Sequence, residues 1–407
     1  MARIVQKYGG TSVADTERIL HVARQIKRYH DEGNQMVVVV SAMAGTTDRL
    51  ISQAKGVTPS PSERELDMLL STGEQQSIAL MAMALHGLGC PAISFTGAQA
   101  GIETDGVHSK ARIQNISPVT LEDSLREGQV VIVAGFQGRT QNDAITTLGR
   151  GGSDLTAVAL AAALQADLCQ IFTDVEGVFT ADPRIVPNAH KIDTLSHDEM
   201  LEMASLGAKV MQSRSIEFAK KFGVDLEVRS SLTDKPGTLI TKETQAMEDV
   251  VIRGISVDKN EAKLTVLHVP DEPGKAAALF QILADAAINV DMIVQNISEH
   301  GFTDISFTVP SAELDKIRNK LSDRIREEVA AEDIVFDEAV AKVSVIGIGM
   351  RSHSGVAAKT FKILADNSIN IEMIATSEIK ISCVLRKGDA DKAVQLLHSA
   401  FDLDSAS

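Results

Sequence analysis

Two stretches in the last third of the chain are copies of each other. DEPGKAAALFQILADAAINVDMI (271–293) and SHSGVAAKTFKILADNSINIEMI (352–374) share 12 of 23 residues, and Gly274 aligns with Gly355, a period of 81 residues. Each copy follows an apolar strand pattern (KLTVLHV or KVSVIGI) and precedes a strand pair and another helix. The unit reads as a small βαββα domain, present twice. The first copy finds a closing strand in DIVF (333–336), whereas the second ends in the helix Asp389–Phe401 and a polar tail and lacks one. VVIRGISV (250–257) precedes the first copy without a partner. We expect it to complete the second copy's sheet, so that this unit is discontinuous in sequence.

The ~240 residues before the repeats follow a different pattern. VVVVSA (37–42), PAISF (91–95), QVVIVAGF (129–136), LCQIFTD (168–174) and VDLEVRS (224–230) read as buried strands. Helical patterns lie between them, at Thr16–Gly33, Glu63–Leu88, Asp154–Gln165 and His197–Phe222. Alternation of this kind specifies a mainly parallel sheet with helices on both faces, and such sheets bind ligands outside the carboxyl ends of their strands. The glycine- and hydroxyl-rich segments fall there: YGGTS, SAMAGTTD, AGFQGRT, GRGGSD and FTDVEGVFTADPR.

Composition narrows the partners. At 407 residues, two or three domains are expected. No apolar run is long enough to span a bilayer, and MARIVQKYGG has no apolar segment of signal-peptide length. The three cysteines are far apart, with no CxxC, which points to neither a disulfide framework nor a metal site and fits a reducing cytoplasm. A net charge of -15, 3% aromatics and no tryptophan argue against a nucleic-acid partner.

Several residues at the expected strand ends are suited to binding anions. Lys7 precedes Gly9 and Gly10, whose lack of a side chain lets backbone and lysine approach a phosphate; the structural alternative is a tight turn. Ser41, Thr46 and Thr47 form a hydroxyl-rich loop, and Glu74 stands in a helical pattern with small and apolar flanks. Thr173, Asp174, Asp182 and Arg184 lie on a loop along which an adenine nucleotide could run, and Lys209 follows a glycine break. The sharpest segment is GRGGSD. Arg150 can grip a carboxylate in a bidentate fork, and Gly151 and Gly152 allow close approach. Ser153 and Asp154 stand at a helix start, which either could cap, and Asp154 could instead pair with an ammonium. An arginine for carboxylate beside an aspartate for ammonium suits an amino acid.

KYGGTS, SAMAGTTD, LSTGE, GRGGSD, FTDVEGVFTADPR and SLGAKV occur in the order and approximate spacing of aspartate kinases, and the tandem repeats resemble the ACT domains that follow in that family. The resemblance covers essentially the whole chain. It implies an amino acid kinase fold, a mainly parallel sheet sandwiched by helices over 1–245. Two α+β ferredoxin-like ACT domains would follow, at 262–338 and at 246–261 plus 339–407. It also implies transfer of the γ-phosphoryl of Mg-ATP to the β-carboxylate of L-aspartate, the entry to lysine, threonine and methionine, with Mg²⁺ carried by ATP.

By that resemblance Lys7 and Lys209 look like phosphate-neutralising lysines, with Asp154 beside them. Ser41, Thr47, Glu74, Arg150, Ser153 and Asp154 look like the aspartate pocket. Gly9, Gly10, Thr173, Asp174, Phe179, Asp182 and Arg184 look like nucleotide contacts. Phe179 stands where many relatives have tyrosine, and Leu155 where threonine is common. Effector positions would be Asp271, Gly274, Ala276, Asn289, Asp291 and Gln295 in the first copy, and Asn370, Ile371, Glu372, Ser377 and Glu378 in the second. Lysine with threonine are the implied effectors, acting in an oligomer joined through ACT units. An internal start near Met247 yields a separate small subunit in some relatives. Acetylglutamate and glutamate kinases lack such tandem units. A non-catalytic amino-acid sensor is the rival of another class, against which the presence of Lys7, Glu74, Arg150, Asp154 and Lys209 argues.

Overall fold

The apolar runs of the first 240 residues assemble into one eight-stranded sheet. A computed structural model describes residues 1–205, 210–242, 251–295, 301–348 and 355–404. In space the strands run Thr194–Ser196, Thr238–Thr241, Leu226–Ser230, Leu168–Thr173, Arg3–Tyr8, Gln35–Val40, Val130–Ala134, Ala92–Phe95. From Leu226–Ser230 to Ala92–Phe95 all neighbours are parallel, and Thr238–Thr241 runs antiparallel beside Leu226–Ser230.

Burial on both faces explains the unbroken valines: Met36 to Val40 are all fully buried. Ile4 and Tyr8 pack with residues of helices Thr16–Asp31 and Glu63–Gly87. Helix Thr16–Asp31 turns Ile19, Val22, Ala23 and Ile26 inward at helical spacing, and the Asp15 side chain caps it by accepting from Arg18 N at 2.9 Å. Helix Gly152–Ala163 is buried over most of its length.

Three features depart from the sequence pattern. Residues 102–147 contribute a second, four-stranded sheet of short polar strands, in the order Ile113–Ile116, Ile102–Thr104, Gln137–Arg139, Ile145–Thr147. Strands of three or four residues are too short to show a readable alternation. The single helix expected over His197–Phe222 is two, His197–Ser205 and Ser213–Phe222. The helix expected from Asp154 starts at Gly152.

The remaining described chain forms a second compact unit with two four-stranded antiparallel sheets. One has the order Ile293–Gln295, Phe302–Pro310, Glu261–Pro270, Asp333–Asp337; the other Val251–Asp258, Val340–Ile348, Lys380–Arg386, Ile371–Thr376. Val251–Asp258 pairs antiparallel with Val340–Ile348. A strand that precedes the first repeat therefore closes the sheet of the second. A small cluster of Met292, Val340, Met373 and Val384 joins the repeats. Phe179–His190 also belongs to this unit. Its Ala181 and Val186 lie in the second repeat's core. Ile255 N donates to Thr180 O at 2.7 Å, and Thr180 Oγ1 shares a 2.9 Å hydrogen bond with the buried His398 Nε2.

Ile255 is 1% exposed in that core. Ile255→Ala should destabilise the second unit by about 2–5 kcal/mol, read as an earlier urea transition by far-UV circular dichroism. An unchanged transition would show that the strand contributes nothing to that sheet.

Candidate active site

Lys7 lies near the carboxyl end of the first strand, in register with Val39 and Ile171 on either side. Strand alternation points it away from the face of Ile4 and Tyr8. On that other face its Nζ meets Asp154 Oδ1 at 2.7 Å, with the two side chains only 13% and 10% exposed. The turn that follows is tight, most of all at Gly10. A Cβ on Gly10 would stand 2.8 Å from Ala42 O, and one on Gly9 3.3 Å from Lys7 Nζ. Ser41 N donates to Tyr8 O at 3.1 Å and Ala44 N to Gly10 O at 3.2 Å, which laces together the turns after the first two strands.

Asp154 is available to Lys7 because it does not cap its helix. The N-cap is Gly151, at φ 70, with no side-chain cap hydrogen bond, so Ser153 and Asp154 fall inside the first turn. Gly151 could hold no other residue: beyond its positive φ, a Cβ there would meet Gln212 Cγ at 1.9 Å. Ser153 is buried against Gly135, where a Cβ would lie 2.6 Å from Ser153 Oγ. Arg150, just before, is exposed and bonded by no described residue.

Glu74 reaches the same edge from helix Glu63–Gly87. Its Oε1 accepts from Ala42 N at 3.1 Å, while its buried Oε2 has no partner. Burial pushes its pKa up to about 7. Gly73 lets the helix come this close, since a Cβ there would stand 2.9 Å from Ala42 Cβ. Ser41 and Thr47, both half-buried, flank the loop, Thr47 in the first turn of helix Thr46–Val57. Thr173 ends its strand, and its Oγ1 donates to Asp174 Oδ1 at 3.1 Å. Ser231 N and Oγ both donate to Thr173 O, and Ser12 Oγ donates to Ser231 Oγ at 2.8 Å.

The structure thus gathers Lys7, Gly9, Gly10, Ser41, Thr47, Glu74, Ser153 and Asp154 around one sheet edge. Phe179, Asp182 and Arg184 belong to the other compact unit. There Asp182 and Arg184 pair with each other at 2.7 Å, and the Arg184 guanidinium holds the Asp182 carboxyl below its ordinary pKa. Lys209 lies outside the described residues. One residue was missed in the sequence: Asp67, fully buried, which binds Thr147, Ser109 and His108. The signal was present, because Asp67, Leu70, Ser71, Glu74, Ser77, Ile78 and Met81 form one buried helix face. Two acids on such a face are as informative as the leucines beside them.

A family model for the amino acid kinase family matches residues 2–230, and one for the ACT domain matches 267–324 and 343–401. An aspartokinase of Mycolicibacterium smegmatis is 52% identical over 408 residues, covering 99% of this chain and 97% of that protein. An aspartate kinase of Pseudomonas putida is 53% identical over 406 residues, covering 100% and 98%. The chain belongs to the aspartate kinase family. Escherichia coli aspartokinase III, solved with aspartate and ADP in its R-state, matches with a TM-score of 0.83 at 28% identity over 98% of this chain and 99% of that one. The same enzyme with lysine and aspartate, in its T-state, matches at 0.76 with the same identity and coverage. This aspartate kinase is accordingly an ATP-dependent phosphotransferase with L-aspartate as acceptor, and the non-catalytic sensor reading falls away.

In the ACT half of this aspartate kinase, two expected effector positions are already engaged. Asp291 pairs with Lys342, and Glu372 pairs with Lys263 at 3.0 Å and Arg386 at 2.7 Å. Asp291 and Glu372 are counterparts at the 81-residue period, and Lys263 and Lys342 are the first residues of KLTVLHV and KVSVIGI, so the ion pairs cross reciprocally between the two copies. Burial alone would lower the Lys342 ammonium, but the Glu261 and Asp291 carboxylates outweigh it and raise its pKa. Asp271, Asn289, Gln295, Asn370, Ser377 and Glu378 are exposed, and Ala276 and Ile371 are half-buried. Gly274 caps its helix at φ 100.

Glu74 supplies a stability test. The unfolded carboxyl releases its proton near 4.5 and the folded one near 7. Folding therefore takes up a proton between those values, and stability declines as pH rises through that window. Between pH 4.5 and 8 the stability of Glu74→Gln relative to wild type should improve by roughly 3 kcal/mol, measured by urea denaturation at each pH. A pH-independent difference would mean that Glu74 titrates like a solvated carboxyl.

Proposed function

We propose how this edge binds aspartate and ATP. The observation that carries the reading is Glu74, a buried carboxylate with one oxygen satisfied by Ala42 N and the other without a partner. A buried acceptor left open is costly, and a substrate ammonium completes it. Arg150, unengaged, takes a substrate carboxylate, with Ser41, Thr47 and Ser153 supplying hydroxyl groups. Lys7 faces the phosphates across the Gly9–Gly10 turn, Asp154 holds it aimed, and Thr173 and Asp174 line the nucleotide side. Lys209 supplies a second cation. Mg²⁺ carried by the nucleotide would add positive charge to that of Lys7.

The β-carboxylate is ionised at neutral pH, so the attacking oxygen needs no general base. A carboxylate oxygen forms the new bond to the γ-phosphorus, the bond to the bridging oxygen breaks, and ADP leaves with that electron pair. The barrier is the repulsion between two anions, which the cations and the glycine turn offset by position and charge.

For the rest of the chain we propose the limits 1–245, 262–338, and 246–261 plus 339–407, with Phe179–His190 packing in the last unit. We also propose lysine and threonine as effectors, acting in an oligomer built through ACT units. Lysine in the T-state complex of the Escherichia coli enzyme supports the first of these effectors. Met247, the candidate internal start, lies outside the described residues. The three cysteines are unpaired and buried, in keeping with the cytoplasm.

Hydroxylamine trapping of the acyl phosphate reads the assignments directly. Lys7→Ala should lower kcat by roughly 10²–10³-fold, whereas Arg150→Ala should act chiefly by raising the aspartate KM about 10–100-fold. An Arg150→Ala enzyme with an unchanged aspartate KM would remove that residue from the pocket. In the wild-type enzyme the aspartate KM should fall as pH rises from 6 to 8, because the ammonium needs Glu74 ionised and its pKa is about 7. Glu74→Gln should abolish that dependence.

A further inference from the structure

Arg150 makes no bond of its own among the described residues, so only its backbone can aim it. The backbone that leads to it is held at Thr147 and Leu148. Thr147, three residues earlier, donates its Oγ1 to Asp67 Oδ1 at 2.6 Å. Thr147 O accepts from Ala111 N at 2.9 Å, and Leu148 N donates to Phe136 O at 2.8 Å. Arg214 closes the far side, donating to Leu148 O and Ala111 O, each at 2.8 Å. Asp67 is fully buried and Thr147 is 1% exposed.

Asp67 does more than hold Thr147. Ser109 N donates to both of its oxygens, at 3.1 and 3.0 Å, and His108 Nδ1 stands 2.8 Å from Oδ2. A carboxylate accepts only, so His108 carries its proton on Nδ1. One buried side chain thus joins helix Glu63–Gly87, the turn around Ser109 and the strand Ile145–Thr147 that leads into Arg150. A buried carboxylate is expensive unless fully bonded, and its three partners meet that requirement.

The same helix carries Glu74, seven residues on and about 10 Å along the axis on the same face. Glu74 faces the substrate directly, and Asp67 faces the strand that presents Arg150. We propose that Asp67, acting through Thr147, is the positioning residue that sets the separation between Glu74 and Arg150, and so the span between ammonium and carboxylate that the pocket accepts. The proposal rests on Glu74 and Arg150 being the aspartate contacts.

Thr147→Val removes one hydroxyl donor and leaves Asp67 its other partners. It should raise the aspartate KM about tenfold while leaving the ATP KM unchanged, and Thr147→Ser should restore it. Asp67→Asn, in which an amide faces the Ser109 and His108 donors, should move the aspartate KM in the same direction. In an Arg150→Ala background Thr147→Val should add nothing to the aspartate KM, because the group being aimed is gone. The proposal is overturned if Arg150→Ala raises the aspartate KM but Thr147→Val does not. It is also overturned if Thr147→Val raises both KM values together, or acts equally with and without Arg150. Should Arg150→Ala itself leave the aspartate KM unchanged, the assignment of Arg150 fails first and the positioning role fails with it.

Discussion

The ion pair between Lys7 and Asp154 depends on a strand, a helix start and a turn meeting in one place. A buried cation near the end of a central strand needs an anion on the face to which it points, since burial of an unpaired charge is costly. Asp154 reaches that position because its helix starts two residues early, on a left-handed glycine instead of on a side-chain cap. Gly10 then brings the loops after the first two strands to within backbone contact of each other. The outcome is a charged lysine held before any ligand arrives. Electrostatic catalysis needs that condition, because groups already oriented do not have to reorganise as the phosphoryl moves.

Helix Glu63–Gly87 carries two buried acids that the chain treats differently. Glu74 keeps one buried oxygen without a partner among the described residues, the feature on which its proposed contact with an ammonium rests. Asp67 is the opposite case, a carboxylate with every partner in place. Both are acids on the same buried face. What separates a binding group from a structural group is whether the chain itself fills its valences.

The regulatory half balances its charges in another way. Asp291 and Glu372, carboxylates that could hold an effector's ammonium, are held by the protein's own lysines across the two repeats. Duplication of one unit explains the symmetry, because a lysine near the start of one strand and a carboxylate shortly after the following helix in each copy meet their opposites in the other. An amino acid bound at these residues would have to compete with a tethered ammonium or use the exposed polar groups beside them.

Much of this was legible in the residues alone. The valine runs, the helical periods and the 81-residue repeat identify the elements, since burial on one face or two leaves a periodic record in the chain. Four of the ordered motifs, KYGGTS, SAMAGTTD, GRGGSD and FTDVEGVFTADPR, mark strand-end turns, because glycine suits close approaches and left-handed backbone. Other features were decided by tertiary structure. The sheet of residues 102–147 has strands too short to leave a period. Asp67 needs partners 42 and 80 residues away, and no local pattern states that they meet. Phe179, Asp182 and Arg184 read as one loop with Asp174, yet the chain passes from one compact unit to the other between them. Sequence records which residues must be buried, turned or charged. Which distant charge answers which is set only when the chain closes on itself, because Coulomb and hydrogen-bond partners are chosen by distance in space and not along the chain.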